Sequence, residues 1–459
     1  MRSVRLTISN IFRLSWVFAA AFSFQSLQAQ ENSPYGRYGL GEFYTNQHII
    51  SRSLGGLSAA YSDGFHNNVG QAVNFGNPAT YGSFYMSTFD IGVTIDSRSL
   101  YSKNPSGKFN SSNFIPSYIA VGVPLNRAKG WGLAFGLKPM SRINYSVQQF
   151  DMVAADSVQT VYTGSGGLNQ AFVGIGKRWN NFQIGLNTGY NFGRKEVNTI
   201  KNFLNDTALY YSSKNSTLTT FGGMFLTGGL QYEVTLSTRT NNIDKTTERY
   251  KLRFGVSGTL KQTMNASQEL DRQTFAYTAN GDVKIDSVLT QSDMKGSVIL
   301  PSNYAAGITL HKTASNSRGA FELWSIGLEY TASKWSQYRF YNLPDQLSDS
   351  WQYKLGVQFC PDPLANRGYW NNVNYRAGFY LGKDYLNPDG NGLKQYGVSF
   401  GAGLPIRKWT NYSDQFTVMN MALQFGKRGS SVNNITETYV QLSLGISMSD
   451  IWFVKRKYD

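Results

Sequence analysis

Along most of this chain apolar and polar residues alternate one for one. Between Phe84 and Asp96, Tyr85, Phe89, Ile91, Val93 and Ile95 fall on one face and Thr88, Asp90, Gly92, Thr94 and Asp96 on the other. Phe182, Ile184, Leu186 and Tyr190 oppose Gln183, Gly185, Asn187 and Gly189 in the same way. Near the end Val440, Leu442, Leu444, Ile446 and Met448 oppose Gln441, Ser443, Gly445 and Ser447. A period of two with small polar residues on the second face predicts strands that meet lipid on one side and an aqueous lumen on the other. About fourteen such segments are expected, twelve or sixteen if one pair is missed or split, at 84–96, 113–124, 131–148, 165–179, 182–196, 215–237, 248–262, 295–312, 320–333, 348–361, 372–383, 395–405, 414–427 and 435–448. The fold class is therefore all-β, a transmembrane antiparallel β-barrel, and an even strand number leaves both ends on the periplasmic side. The first, third, fifth and seventh connections run to about 16, 16, 18 and 32 residues and the second, fourth, sixth and eighth to about 6, 2, 10 and 7, as long outer loops and short periplasmic turns would. The longest and most polar of them, 263–294, is expected to be an outer loop.

Composition sharpens this choice. Charged residues are 15% of the chain, against roughly 25% in ordinary soluble domains, while aromatics reach 15% and glycines number 46. A soluble sandwich of fourteen strands would need a second buried face, and the second face here is Gly, Asn, Gln, Ser and Thr. Tryptophans avoid strand centres. Trp131, Trp179, Trp324, Trp370, Trp409 and Trp452 fall near the periplasmic ends and Trp335 and Trp351 near the outer ends, the placement of interfacial girdles.

The N-terminus points to export. Arg2, Arg5 and Arg13 precede the apolar run Leu14 to Phe24, and Leu27-Gln28-Ala29 fits a cleavage site, so 1–29 reads as a signal peptide and the mature chain starts near Gln30. The run is short of the about 20 residues a membrane helix needs. Cys360 is the single cysteine and forms no intramolecular disulfide. Residues 30–82, rich in Gly, Asn, Ser and Tyr, then form one segment ahead of the barrel, 83–459. Turns are expected in it at Gly36, Gly39, Gly41, Gly55-Gly56 and Asn77-Pro78-Ala79, the last leading into the wall.

The order of SLGGLSAAYSDG (Ser53 to Gly64), NPATYG (Asn77 to Gly82), IPSYIAVGVPL (Ile115 to Leu125), KGWGLAFGLKP (Lys129 to Pro139) and LPSNYAAGITL (Leu300 to Leu310) resembles the FadL family of outer-membrane transport barrels. The nearest likeness is to a divergent branch that begins NSPYGRYGLG (Asn32 to Gly41) and ends WFVKRKYD (Trp452 to Asp459). The resemblance implies a barrel closed from inside by an N-terminal hatch, here 30–82, with Gly55 and Gly56 among its turns. It implies passage of hydrophobic molecules such as fatty acids, although other relatives are subunits of secretion or assembly machines. It also implies a lateral gate at a kink in the third strand. Pro139 stands where such a kink would be, and Pro116 in strand two falls about one residue from facing it. Each lacks an N–H, so the ladder should weaken there, whether as a gate or as a plain bulge. Pro301 in strand eight raises the same question.

Catalytic chemistry has little support. Gly397-Val398-Ser399-Phe400-Gly401 matches G-x-S-x-G but lies in period-two sequence without a following helix, so alternating small residues explain it better. The histidines are His48, His66 and His311, and neither His311 nor Ser399 has a visible orienting partner. Asn387, Asp389 and Asn391 around Gly390 read as a turn rather than a calcium loop, and no cofactor or metal is implied. The formal charge of +15 falls to +12 without the three signal-peptide arginines, and Lys455, Arg456 and Lys457 form a basic tail. Membrane lipid and lipopolysaccharide phosphates are the expected anionic partners. Nucleic acid is excluded for an exported barrel. The leading expectation is passive outer-membrane transport of hydrophobic small molecules. The alternative is a non-transporting subunit of an outer-membrane assembly or secretion complex, which would tolerate a lumen filled with polar side chains where a transporter needs an apolar pocket beside the hatch.

Overall fold

A computed structural model describes residues 33–44, 47–62, 71–153, 156–204, 210–241, 246–278, 281–316, 319–363, 368–406 and 416–450. The expected signal peptide, His66, Trp409, Trp452 and the tail Lys455, Arg456 and Lys457 lie outside them. Fourteen antiparallel strands form the wall: β1 (Ser87–Lys103), β2 (Ser106–Asn126), β3 (Trp131–Val153), β4 (Asp156–Trp179), β5 (Phe182–Phe203) and β6 (Ser212–Asn241) lead to two interrupted strands. These are β7 (Thr246–Thr259, resuming as Gln262–Thr278) and β8 (Gly281–Leu300, resuming as Asn303–Asn316). They are followed by β9 (Gly319–Ser333), β10 (Ser350–Phe359), β11 (Asn374–Lys383), β12 (Lys394–Ile406), β13 (Phe416–Arg428) and β14 (Ile435–Asp450). β14 pairs with β1 from Asp450↔Ser87 to Ile435↔Ser102, so the sheet closes and has no seam between its ends.

The alternation resolves into the two expected faces. Ser443 and Ser447 point inward and are buried, while Ile446 and Met448 face out and are exposed. On β5 the outward set Phe182, Ile184, Leu186, Tyr190 and Phe192 is exposed and gives way to Arg194 and Glu196, which marks the outer limit of the apolar band. Trp131, Trp179 and Trp351 are exposed on the rims. Trp335 departs from the expected girdle: it is buried beneath an outer loop, stacked 4.6 Å from Tyr385 and edge-on to Phe43.

The outer loops expected after β1, β3 and β7 are largely strand. β1 and β2 are joined through Asn104-Pro105, β3 and β4 through 154–155, and the polar stretch 263–294 is a hairpin pairing from Leu300↔Gln262 out to Gly281↔Thr278. Alternation failed to reveal these extensions because, above the lipid, neither face of a strand needs to be apolar. Pro301 sits in the break between the two parts of β8, beside the break in β7 at Leu260-Lys261. Its missing N–H is tolerated there because the ladder is already interrupted. On the outer side, 334–349 and 384–393 fold across the mouth, and Tyr338, Leu386 and Leu393 bury themselves there near Tyr35 and Leu40 of the N-terminal segment.

Candidate functional site: the hatch, its seat and the wall seam

Residues 33–44, 47–62 and 71–86 occupy the lumen as a hatch. Its α-helix among the described residues, α1 (Ile49–Ser53), begins where the His48 ring nitrogen Nδ1 accepts from Ile50 N, a side-chain cap that replaces the missing helical acceptor. The turn into the wall is likewise capped. Asn77 accepts from Ala79 N at 3.1 Å and Pro78 opens the 3-10 turn Pro78–Ser83, whose first N–H would have been unpaired in any case. The Asn77 amide also donates to Ala59 O at 2.6 Å within the hatch and to Leu230 O at 3.3 Å on the wall.

Wall side chains answer the hatch backbone. The buried Glu329 carboxylate on β9 accepts from Ser58 N at 2.6 Å and Ala59 N at 2.7 Å, and pairs with Lys354 of β10 at 3.1 Å. Ser399 Oγ accepts from Gly55 N and donates to Ser53 O. Asp90 accepts from Val73 N and lies 3.4 Å from His48 Nε2. In the reverse direction Arg52 of α1 donates to Thr94 Oγ1 on β1 at 2.8 Å. Nearer the mouth, Glu42 of the hatch pairs with Arg98 of β1 and Arg428 of β13, and Arg428 also meets Asp384 of an outer loop. Burial opposes the charge on Glu42, yet the two guanidiniums hold its carboxyl below the usual range. Backbone groups of an irregular segment in a membrane-depth lumen need such partners, and inward Ser, Thr, Asn, Gln and Glu supply them.

Glycines give the hatch its seat. Cross-strand rows Gly132↔Gly176↔Gly185↔Gly229, Gly255↔Gly307, Gly327↔Gly356↔Gly378 and Gly92↔Gly445 run around the inner wall. With Gly122 on β2 and Gly401 on β12, every strand but β13 contributes one, and β13 places Ala422 opposite Gly401. In each case the space a side chain would take is filled or touched by the hatch: a Cβ on Gly356 would lie 2.5 Å from Leu54 O, and one on Gly176 would lie 2.6 Å from Gly82 N. Gly55 itself has φ +67°, and its own Cβ would meet Leu355 O and Phe379 O at 2.7 Å. The hatch meets the wall around the full circumference, backbone to backbone at Gly132, Gly176, Gly185, Gly255, Gly356 and Gly378 and through hatch side chains at the others.

The join between β2 and β3 is weak. β2 pairs with β1 up to Ser106 and β3 pairs with β4 up to Val153, but β2 and β3 pair only from Asn126↔Trp131 to Ile119↔Leu137. The join ends just below Pro116 and Pro139. Both sit at irregularities, with Ser117 skipped between Tyr118 and Pro116 in the β1–β2 register and Met140 skipped between Pro139 and Ser141 in the β3–β4 register. A hatch strand, Glu42–Phe43, pairs with Arg142 and Ser141 of β3 above the split, and Tyr44 N donates to Met140 O. Outside, a groove of about 760 Å³ follows the split, lined by Pro116, Ile119, Leu137, Pro139 and Phe192 among others. Inside, between hatch and outer loops, lies a chamber of about 360 Å³ whose lining includes Arg52, Gln395, Gln424, Arg428 and Gln441.

The remaining sequence candidates are placed as follows. Ser399 is fully buried against the hatch backbone with no histidine among its hydrogen-bond partners given by the geometry. His311 does have partners, Glu233 at 3.2 Å and Glu322 at 3.1 Å, in a lumen network towards the periplasmic end. Asn387 to Asn391 form the 3-10 turn Pro388–Gly390. Sequence reasoning missed Glu329 and the glycine seat. The available signal for Glu329 was a carboxylate at an inward position amid strictly lipid-facing neighbours, Leu328 and Tyr330.

The model of one protein family, described as BamG, matches residues 10–459. The chain belongs to the BamG family. None of the curated proteins matches it. Among solved structures, this BamG-family barrel is similar to the toluene transporter TbuX of Ralstonia pickettii, with 14% identity and TM-score 0.51 over 88% of this chain and 98% of that one. It is also similar to the toluene transporter TodX of Pseudomonas putida, at 13% identity and TM-score 0.49 over 90% and 99%. A FadL homologue of Pseudomonas aeruginosa gives 11% and 0.48 over 91% and 100%. The fold is thus that of the FadL-type outer-membrane barrels.

Proposed function

We propose that this BamG-family chain is a structural subunit of an outer-membrane protein assembly complex, a sealed barrel that offers surfaces to other subunits. The observation that carries this reading is the glycine seat, which touches the hatch on thirteen strands. Displacing such a hatch would strip hydrogen bonds from Glu329, Ser399, Asp90 and Asn77 together, and a net of about 1 kcal/mol per bond, more for charged groups, accumulates over them. The chamber beside the hatch has a mixed lining in which Arg52, Lys138, Arg428 and Glu437 stand among Phe, Trp and Tyr rings, so it is not the predominantly apolar pocket a hydrophobic ligand requires. Purification from native membrane in mild detergent tests the reading. Stoichiometric protein partners and no bound hydrophobic molecule are expected; a chain that purifies alone with a hydrophobic ligand would overturn it.

The split above Ile119 and Leu137 favours a second reading, lateral movement of hydrophobic small molecules between the bilayer and the wall. On that reading Pro116→Val with Pro139→Val restores two N–H groups to the join and lowers uptake of a fatty-acid-like probe by several-fold. Unchanged uptake leaves the prolines as bulge formers. Anionic lipid headgroups of the periplasmic leaflet are the proposed partners of the basic tail.

A further inference from the structure

Apart from the facing edges of β2 and β3 above their split, two long stretches of the wall have a strand neighbour on one side only among the described residues, and they differ in how that edge is treated. The outer one is the distal part of β8, where Val298 and Ile299 pair with Arg339–Phe340 and Tyr341 donates to Ser297 O and Met294 O, with no second strand beside the rest among the described residues. From Gly281 to Met294 its edge carries Asp282, Lys284, Asp286 and Asp293 and is broken by three register shifts, between Lys284 and Asp286, Ser287 and Leu289, and Gln291 and Met294. Charges and bulges are the usual means of keeping an edge from pairing.

The second stretch is at the opposite end. β5 stops at Phe182, opposite Tyr232, and the last bond on that side is from Glu233 N to Asn181 O. β6 continues paired with β7 to Asn241↔Thr246. Val234 to Asn241 therefore projects past the β4–β5 turn by about 26 Å at the usual rise, with no strand beside it among the described residues. Its sequence, VTLSTRTN, is rich in strand formers, has no Pro or Gly, one charge and a single bulge at Leu236, which is 57% exposed. This edge is nearly unblunted. The charge around it is positive on balance: Glu248, opposite Arg239, is paired with Lys312, Glu233 at the start of the edge is held by Lys251 and Arg253, the residues that follow it, 242–245, carry one charge of each sign in Asp244 and Lys245, and the turns 127–130 and 177–183 add Arg127, Lys129, Lys177 and Arg178 with no carboxylate.

We infer that the periplasmic edge of β6, Val234 to Asn241, is a docking site for an extended acidic strand of a periplasmic partner protein, which adds to the sheet through main-chain hydrogen bonds. This deepens the assembly-subunit reading and rests on it for the existence of a partner. The charge balance selects an acidic segment, and the absence of edge protection here, against the charges and bulges on β8 and the prolines and hatch strand at the β2–β3 split, marks which edge is meant to pair.

Hydrogen exchange on the full chain, isolated in detergent and in its natively purified complex, tests the inference. Amides of Val234 to Asn241 are expected to exchange at least tenfold more slowly in the complex, while those of Gly281 to Met294 exchange alike in both. Thr238→Pro should release the partner and Val283→Pro on the outer edge should keep it, each with the folded barrel retained. Should Thr238→Pro fail to fold, Arg239→Glu leaves the backbone intact and is expected to release the partner at lower salt. Equal exchange of the β6 edge in both states, or release at unchanged salt, overturns strand docking. A chain that purifies without any protein overturns both this inference and the assembly reading; a stoichiometric partner with an unprotected edge overturns this inference alone.

Discussion

Glu329→Ala is expected to unseat the hatch and to destabilise the barrel by about 3–5 kcal/mol, the cost of removing one member of a buried ion pair. The carboxylate is 4% exposed and is shared between two hatch amides, Ser58 N and Ala59 N, and the Lys354 ammonium, which also donates to Gly56 O. Truncation leaves three buried donors facing a void that water must enter to satisfy. Denaturant titration of the folded barrel in detergent measures the loss. Glu329→Gln keeps one acceptor and should lose roughly half as much, on the order of 2 kcal/mol. A Glu329→Ala midpoint equal to that of the parent would mean that the hatch is not held at this carboxylate.

Gly378→Val is the second large effect. A Cβ there would coincide with the backbone nitrogen of Gly55, and β11 cannot retreat because it is paired along its length with β10 and β12. Ordinary overpacking costs about 1–3 kcal/mol when side chains can shift. Here both sides of the contact are backbone, so the expected result is expulsion of the hatch from that sector. Limited proteolysis should then cut between 47 and 62 in the variant and not in the parent. Gly228→Ala is the matching control, since that glycine has nothing within 4 Å of its missing Cβ. Equal protection of the hatch in both variants would contradict the seat.

How far the molecule can be read from its sequence depends on what each residue answers to. Strand number and facing were legible because lipid imposes a strict rule on alternate residues such as Leu442 and Leu444, and the inward Ser443 and Gly445 follow by geometry. Strand length was not, because the outer part of β7 and β8 meets water on both faces and loses that constraint. Gly92, Gly185 and Gly445 were visible as inward small residues. Their use as a seat was not, because it depends on the path of the hatch through the lumen, which no local pattern encodes. Pro116 and Pro139 marked the height of the split through a purely covalent property, the absent N–H. Ser399 drew notice for the wrong pattern. Its hydroxyl lies at an inward strand position where it both accepts from and donates to the hatch backbone, a role that needs a small polar residue and no catalytic neighbour. Trp335 was misplaced because tryptophan near a strand end serves equally at a lipid interface or as the core of a loop cap.

The FadL-type fold by itself names no activity, and the fit between wall and N-terminal segment supports the proposed sealed barrel. A barrel whose inner wall is cut to fit its own N-terminal segment is built to stay closed. Planar-bilayer recording tests that claim most directly. The full-length mature chain should show no conductance steps, and deletion of Asn32 to Tyr61 should open a large, steady pore. Steps from the intact chain, or a deletion that leaves conductance unchanged, would contradict it.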